Sequence, residues 1–150
     1  MDIGIYAIQG ARYVTGEEPI SALAQEFKTD LLTFREVDET MCWQLEFSSG
    51  AVAYFATSYS ARLNRLYAAA ERGWFELSPA YSYSGLKGQT SEGSMSFSDI
   101  NQQAAQMDAI ASAILNDEPS PVPGEEGLKD LKVIEAIYRS ATSGQKVVIV

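Results

Sequence analysis

The sequence predicts an α+β fold: an open, predominantly antiparallel sheet with helices packed on one face. Three observations predict it. The apolar pattern runs from one helix through a block of period-two segments to two closing helices, and strands grouped in a block indicate α+β rather than alternating β and α units. The segments of the block are joined by short turns containing glycine, the connection that antiparallel neighbours use. At 150 residues, with 46% hydrophobic and 21% charged, the chain has the length of one ordinary domain and enough apolar material for its own core.

The first helix is read over Asp2 to Val14, where Ile3, Ala7, Ala11 and Val14 recur at helical spacing. Gly16 follows, where a helix end takes a left-handed residue. Almost nothing precedes this helix, so the expectation is a piece of a longer protein. Ser21 to Phe27, after Pro19, reads as a strand. Met41, Trp43, Leu45 and Phe47 alternate strictly with Cys42, Gln44 and Glu46. With the turn Ser48-Ser49-Gly50 and a return over Ala51 to Ser58, they form a hairpin. Arg65 to Ala70 and Trp74 to Leu77 form a second pair about Glu71-Arg72-Gly73, stopped by Pro79. Tyr81 to Leu86 alternates aromatics with serines and reads as a further strand. Gln89 to Ser94 reads as a polar loop, and Met95 to Phe97 as a short strand. The total is about five or six strands.

Asp99 is placed to cap the second helix, with Gln102 as its capping-box partner. Ile100, Ala104, Met107, Ala111 and Ile114 form its expected buried stripe. The linker Asp117 to Gly124 holds three of the five prolines and excludes helix. The last helix opens with Glu125 and Glu126 in its positive first turn, is expected to bury Leu128, Leu131, Ile134 and Tyr138, and ends at Gly144. Val147 to Val150 reads as a last strand. The helices can cover one sheet face, and nothing left in the chain covers the other.

Composition excludes several function classes. A net charge of -9 argues against nucleic acid or an anionic membrane as partner. Histidine is absent, so no Ser-His-Asp triad, Cys-His pair or His-ligated metal can be assembled, and no metal site is expected. The single cysteine, Cys42, forms no intramolecular disulfide and reads as a small packed residue. No apolar run approaches the roughly 18 residues of a spanning helix, and Met1-Asp2-Ile3-Gly4 carries no basic signal-peptide start.

The strongest candidate for chemistry is Asp2-Ile3-Gly4-Ile5-Tyr6. On a helix, residues four apart share a face, which sets the Asp2 carboxylate beside the Tyr6 phenol with Gln9 and Tyr13 further along the stripe. A tyrosine exchanges protons when a nearby cation lowers its pKa. The same spacing equally fits a packing tyrosine and an aspartate that favours a helix start. Gly85-Leu86-Lys87-Gly88 lacks the strand–turn–helix context of a phosphate loop, and Gly124-Glu125-Glu126-Gly127 reads as a helix start. Asp38, Glu39, Glu125 and Glu126 read as solvated surface. Tyr67, Trp74, Tyr81 and Tyr83 read as sheet packing.

An ordered set of segments now carries a family resemblance. It comprises Asp2-Ile3-Gly4-Ile5-Tyr6, Arg12-Tyr13, Thr15-Gly16-Glu17-Glu18-Pro19, Trp43 to Ala51, Ser58-Tyr59-Ser60, Pro123-Gly124-Glu125-Glu126-Gly127 and Ala136-Ile137-Tyr138. Nearly end to end, the chain resembles the C-terminal domain of the Gfo/Idh/MocA oxidoreductases, glucose–fructose oxidoreductase branch. The resemblance implies a two-domain parent whose N-terminal Rossmann domain binds NAD or NADP, with no cofactor bound by these 150 residues. It implies a sugar or polyol substrate, Tyr6 as acid/base on a substrate hydroxyl, and Asp2 as a substrate-positioning residue. Many relatives have histidine where this chain has Tyr6. The family's catalytic lysine, in a Glu-Lys-Pro motif, and its Gly-rich cofactor loop are both missing here, so the chain alone is expected to be inactive. The open sheet face is the implied homo-oligomer interface. The alternative is a stand-alone dimerisation or sugar-binding module of the same fold.

Overall fold

The computed structural model describes residues 1–150, which divide into two units, residues 1–63 with 128–150 and residues 64–127. Helix α1 spans Gly4–Thr15 and ends at Gly16, whose φ of 69° closes the last turn by donating its N–H to Arg12 O. Strands β1 (Pro19–Phe27), β2 (Thr40–Phe47) and β3 (Val52–Ser58) follow. The chain later returns through helix α3 (Gly124–Ser143) to the short closing strand Val147–Val148. In the first unit the sheet order is β3, β2, β1 and then that closing strand, with every neighbour antiparallel.

The alternation read from the sequence sets the β2 faces. Met41, Trp43, Leu45 and Phe47 are buried, while Cys42, Gln44 and Glu46 are half-buried on the other face. Ala22 and Ala24 of β1 lie opposite Leu45 and Trp43, and Phe55 of β3 opposes Trp43, stacking on it at 4.9 Å between centroids. Ile8 and Ala11 of α1 and Val133, Ala136 and Ile137 of α3 complete this core. The back of the sheet carries Leu23, Phe27, Val52 and Tyr54, all exposed. Register puts Tyr54 and Leu23 on either side of Gln44, which assigns Tyr54 to that uncovered face.

The second unit holds β4 (Leu66–Ala70), β5 (Gly73–Leu77), β6 (Gly88–Thr90) and β7 (Gly93–Met95) as an antiparallel meander, followed by α2 (Gln102–Leu115). Val147–Val148 is therefore β8, and eight strands form two four-stranded sheets rather than one sheet of five or six. Tyr81 to Leu86 is not a strand. The region read as a polar loop, Gln89 to Ser94, is instead the β6–β7 hairpin. Tight turns at Gly residues outweighed its low β-propensity. Tyr67 stacks on Trp74 across β4–β5, and the Arg65 guanidinium sits 5.2 Å over Tyr67.

Two helices are phased differently from the sequence expectation. Asn101, not Asp99, caps α2, accepting from Ala104 N at 3.0 Å, and Gln102 donates to the Ser82 and Tyr83 carbonyls instead of completing a capping box. Of α2's residues only Ala113 is buried, leaving Ile100, just before the helix, and Met107 and Ile114 exposed. On α3 the buried residues are Asp130, Val133, Ala136, Ile137 and Ser140, while Leu128 and Leu131 are exposed and Tyr138 is half-exposed with its hydroxyl turned to Asp38. The cause is polar. Asp130 is fully buried and accepts from Arg12 Nη1 at 2.7 Å and from Gln9 Nε2 at 2.8 Å. Ser140 is fully buried and accepts from Ala24 N while donating to Gln145 O. No helix is long and apolar enough to cross a membrane.

Asp130→Ala leaves Gln9 without its acceptor and Arg12, whose side chain is 9% exposed, with one carboxylate fewer. Removing one partner of such a pair costs about 3 kcal/mol or more. Urea unfolding is expected to show a lower midpoint at an unchanged m-value, and Arg12→Met with Asp130→Leu is expected to recover much of the loss.

Candidate functional site

Gly4 explains how the first helix is seated. A Cβ at Gly4 would lie 2.7 Å from the Met1 methyl carbon and 3.3 Å from Trp43 Cη2, so the helix start rests directly on the sheet. Ile8 and Ala11 continue that buried side. Tyr6 and Tyr13 consequently point away from the core and are exposed. Asp2 lies in the turn that precedes the helix. The Asp2 carboxylate accepts a long hydrogen bond, 3.5 Å, from the Tyr59 hydroxyl. Gln9, expected on the same stripe, turns to Asp130. Of the four stripe residues, Tyr6 and Tyr13 thus remain on the open side of α1, with Asp2 at its entrance.

Behind this entrance lie two buried carboxylates that the sequence reading had placed on the surface. Glu39 is 2% exposed and takes four hydrogen bonds: Thr29 N (2.6 Å), Thr29 Oγ1 (2.7 Å), Asp30 N (3.0 Å) and Ser60 Oγ (2.6 Å). These donors, Ser60 first, hold its carboxyl down at about 2. Its backbone carbonyl accepts from Tyr59 N at 3.0 Å. Asp38, 8% exposed, receives the Met1 amino group at 2.8 and 3.1 Å and the Tyr138 hydroxyl. Burial pushes the Asp38 carboxyl up, while the hydrogen bond from the Tyr138 phenol pulls it down. Burial and the Asp38 hydrogen bond push the Tyr138 phenol up. Burial, then the charges of Asp2 and Asp38, raise Tyr59 as well.

A sequence signal for Glu39 does exist. Two carboxylates stand immediately before the strictly alternating β2, at a strand entrance where chain segments converge, and Thr29-Asp30 and Ser58-Tyr59-Ser60 supply hydroxyl and N–H donors on either side. Only the tertiary fold brings those donors together. Elsewhere, Glu125 and Glu126 sit in the first turn of α3 as expected. Cys42 is half-buried on the back of the sheet. No group of three or more Cys, Asp and Glu side chains gathers to hold a metal ion.

Glu39 links site geometry to pH. Its folded value lies below the ordinary 4.5, so its contribution to stability is fully present above that value and is lost as pH falls from there through about 2. Glu39→Gln is expected to lower stability at neutral pH and to flatten the acid limb over that window. Urea midpoints measured at pH 7 and pH 3 check this.

Two family profiles together match residues 1–149. The GFO/IDH/MocA C-terminal domain profile matches residues 1–76, and the profile of the oxidoreductase family C-terminal alpha/beta domain matches residues 62–149. The chain is 28% identical over 152 aligned positions to D-xylose 1-dehydrogenase [NADP(+)] of Haloarcula marismortui, covering 94% of this chain and 41% of that protein. It superposes on the aldose-aldose oxidoreductase of Caulobacter crescentus, solved with glycerol, at a TM-score of 0.90 and 40% identity, covering 97% of this chain and 45% of that one. Myo-inositol 2-dehydrogenase of Lactobacillus plantarum shares the fold at a TM-score of 0.75 and 22% identity, with 97% and 47% covered. The chain therefore spans less than half the length of each of these proteins.

Proposed function

This chain belongs to the GFO/IDH/MocA oxidoreductase family, matching its C-terminal domain, and we propose that it is the substrate-binding and oligomerisation half of an NAD(P)-dependent oxidoreductase acting on sugar-like CH–OH groups. The observation that carries this reading is the seating of Asp2-Ile3-Gly4-Ile5-Tyr6. Gly4 packs on Trp43, and the same turn of helix therefore leaves Tyr6 open at its surface with Asp2 at the entrance. Relatives named for xylose and for aldoses, one of them solved with glycerol, support a sugar or polyol substrate.

In this reading the Tyr6 phenolic oxygen exchanges a proton with the reacting hydroxyl. The Asp2 carboxylate accepts hydrogen bonds from neighbouring hydroxyls and so fixes which carbon faces the cofactor. The starts of α2 and α3 do not fit a dinucleotide phosphate. That of α2 is taken by the Asn101 side chain, and that of α3 carries Glu125 and Glu126, which repel an anion. In this reading the NAD or NADP site lies in the other half of the two-domain enzyme.

Tyr6→Phe removes a hydroxyl from an exposed side chain. In the full-length enzyme it is expected to lower kcat by about two to four orders of magnitude while the urea midpoint stays in place. Steady-state kinetics across pH check it, and wild-type turnover at every pH would return Tyr6 to a packing role. The oligomerisation half of the reading rests on the uncovered back of the first sheet, where Leu23, Phe27, Val52 and Tyr54 are exposed together. Isologous packing of two such faces would cover them. Light scattering over a dilution series is expected to show a dimer, or a tetramer of dimers, that Tyr54→Lys shifts to monomer.

A further inference from the structure

We infer that Tyr59 and Glu39 are positioning residues for the Asp2 carboxylate: Tyr59 holds it by hydrogen bond, and Glu39 locks together the two segments that hold Tyr59. The inference rests on the reading of Asp2 as a substrate-positioning group. It also names residues of a kind that substrate contact alone would not reveal.

The geometry runs outward from Glu39. Asp30 starts a helical turn by accepting Leu32 N and Thr33 N on its side chain and Phe34 N on its carbonyl. Glu39 anchors that turn at its base through Thr29 N, Thr29 Oγ1 and Asp30 N. Phe34, at the end of the turn, stacks on the Tyr59 ring at 6.1 Å and 27°. From the other side, Glu39 O accepts Tyr59 N and Glu39 Oε1 accepts Ser60 Oγ, so the segment carrying Tyr59 is held by main chain and side chain alike. The Tyr59 ring is fixed on one face and its hydroxyl points to Asp2 Oδ2.

The four donors around Glu39 explain why a carboxylate is needed there. Each gives a proton to it, and an amide in its place would present its own N–H₂ to donors. Burying such a charge is costly unless every lone pair is used, and here the cost secures two loops at one point. Asp2, by contrast, is exposed and lies outside any helix, so the Tyr59 hydroxyl is what orients it. A bond of 3.5 Å leaves room to tighten once substrate is bound, as such contacts commonly do.

The test uses the 150-residue chain labelled at tyrosine Cζ, with the Tyr59 signal assigned by its loss in Tyr59→Phe. The charged and titratable groups acting on Tyr59 are Asp2, Asp38 and Tyr138. The Tyr59 titration midpoint is expected to fall towards the ordinary tyrosine value on Asp2→Asn. In Glu39→Gln that response to Asp2→Asn is expected to disappear, and in Ser60→Ala, which keeps the buried carboxylate if the first variant does not fold, it is expected to shrink at least twofold. A Tyr59 midpoint indifferent to Asp2, or an Asp2 response undiminished in both Glu39→Gln and Ser60→Ala, overturns the inference. In the full-length enzyme, Tyr59→Phe is expected to raise KM about tenfold with a smaller change in kcat, the split that separates positioning from proton transfer. If Asp2→Asn leaves KM unchanged while the spectroscopic coupling is present, the reading of Asp2 as a substrate group fails, and the Tyr59–Asp2 link survives as structure.

Discussion

One guanidinium sets the arrangement of the first unit. Arg12 forks onto Glu18 through Nε and Nη2, at 2.7 and 2.8 Å, and reaches Asp130 through Nη1. It thereby joins the end of α1 to the approach to β1 and to the inward face of α3. A carboxylate inside a core must be met by donors. Once Asp130 is committed to Arg12 and Gln9, the rotation of α3 about its axis is no longer free. Val133, Ala136 and Ile137 then fall on the sheet because they share the face of Asp130, and Ser140 reaches Ala24 N one helical face further along. The outward position of Leu128 and Leu131 follows from the same rotation.

That constraint also organises what faces solvent. With α1 and α3 both on one side of the β3-β2-β1-β8 sheet, the hydrophobic alternation of β2 is satisfied on one face only. The opposite face mixes Leu23, Val52 and Tyr54 with Gln44 and Glu46, and Glu46 is itself tied to Lys146 and Ser21. The central strand thus shows Gln44 and Glu46 on this face, while its neighbours β1 and β3 show Leu23, Val52 and Tyr54. At the other end of the unit, Glu39 and Asp38 sit where loops converge at the strand entrances. They rigidify the surroundings of Asp2 without lining the open face of α1 themselves.

The legible and illegible parts of the sequence divide along physical lines. The β2–β3 hairpin was legible because Met41 to Phe47 alternates without a break and Gly50 marks the return. The end of α1 was legible because only a left-handed residue fits at Gly16. The class α+β followed from element order alone. The phase of α3 was not legible, because hydrophobicity ranks Leu128 and Leu131 above Asp130 and Ser140. Only the presence of Arg12 and Ala24 N opposite makes the polar choice favourable. The β6–β7 hairpin was missed because Gly88-Gln89-Thr90 and Gly93-Ser94-Met95 have little β-propensity and owe their pairing to β5. At the site, the residues Asp2 and Tyr6 were visible as a motif. The hydrogen bond that Asp2 makes, to Tyr59 rather than along the helix, was not legible, because Tyr59 comes from the far end of β3. Glu39 is not legible because a glutamate among polar neighbours looks solvated until donors from two segments converge on it.

The same bonds explain why the proposed chemistry needs a second half. A tyrosine serves as acid and base when a cation stands close to its oxygen. The cation on Tyr6's own helix is Arg12, and both faces of its guanidinium fork are spent on Glu18 and Asp130. Moving it towards Tyr6 would strip a fully buried carboxylate of its charge partner, a loss comparable to a large share of a domain's net stability. Lys129 stands on Glu18 and Lys146 on Glu46, each serving the fold in the same way. The bonds that fix α1 thus commit its own cation to the fold. In the proposed reading, the positive group that tunes Tyr6 would reach the open face of α1 from the nucleotide-binding half.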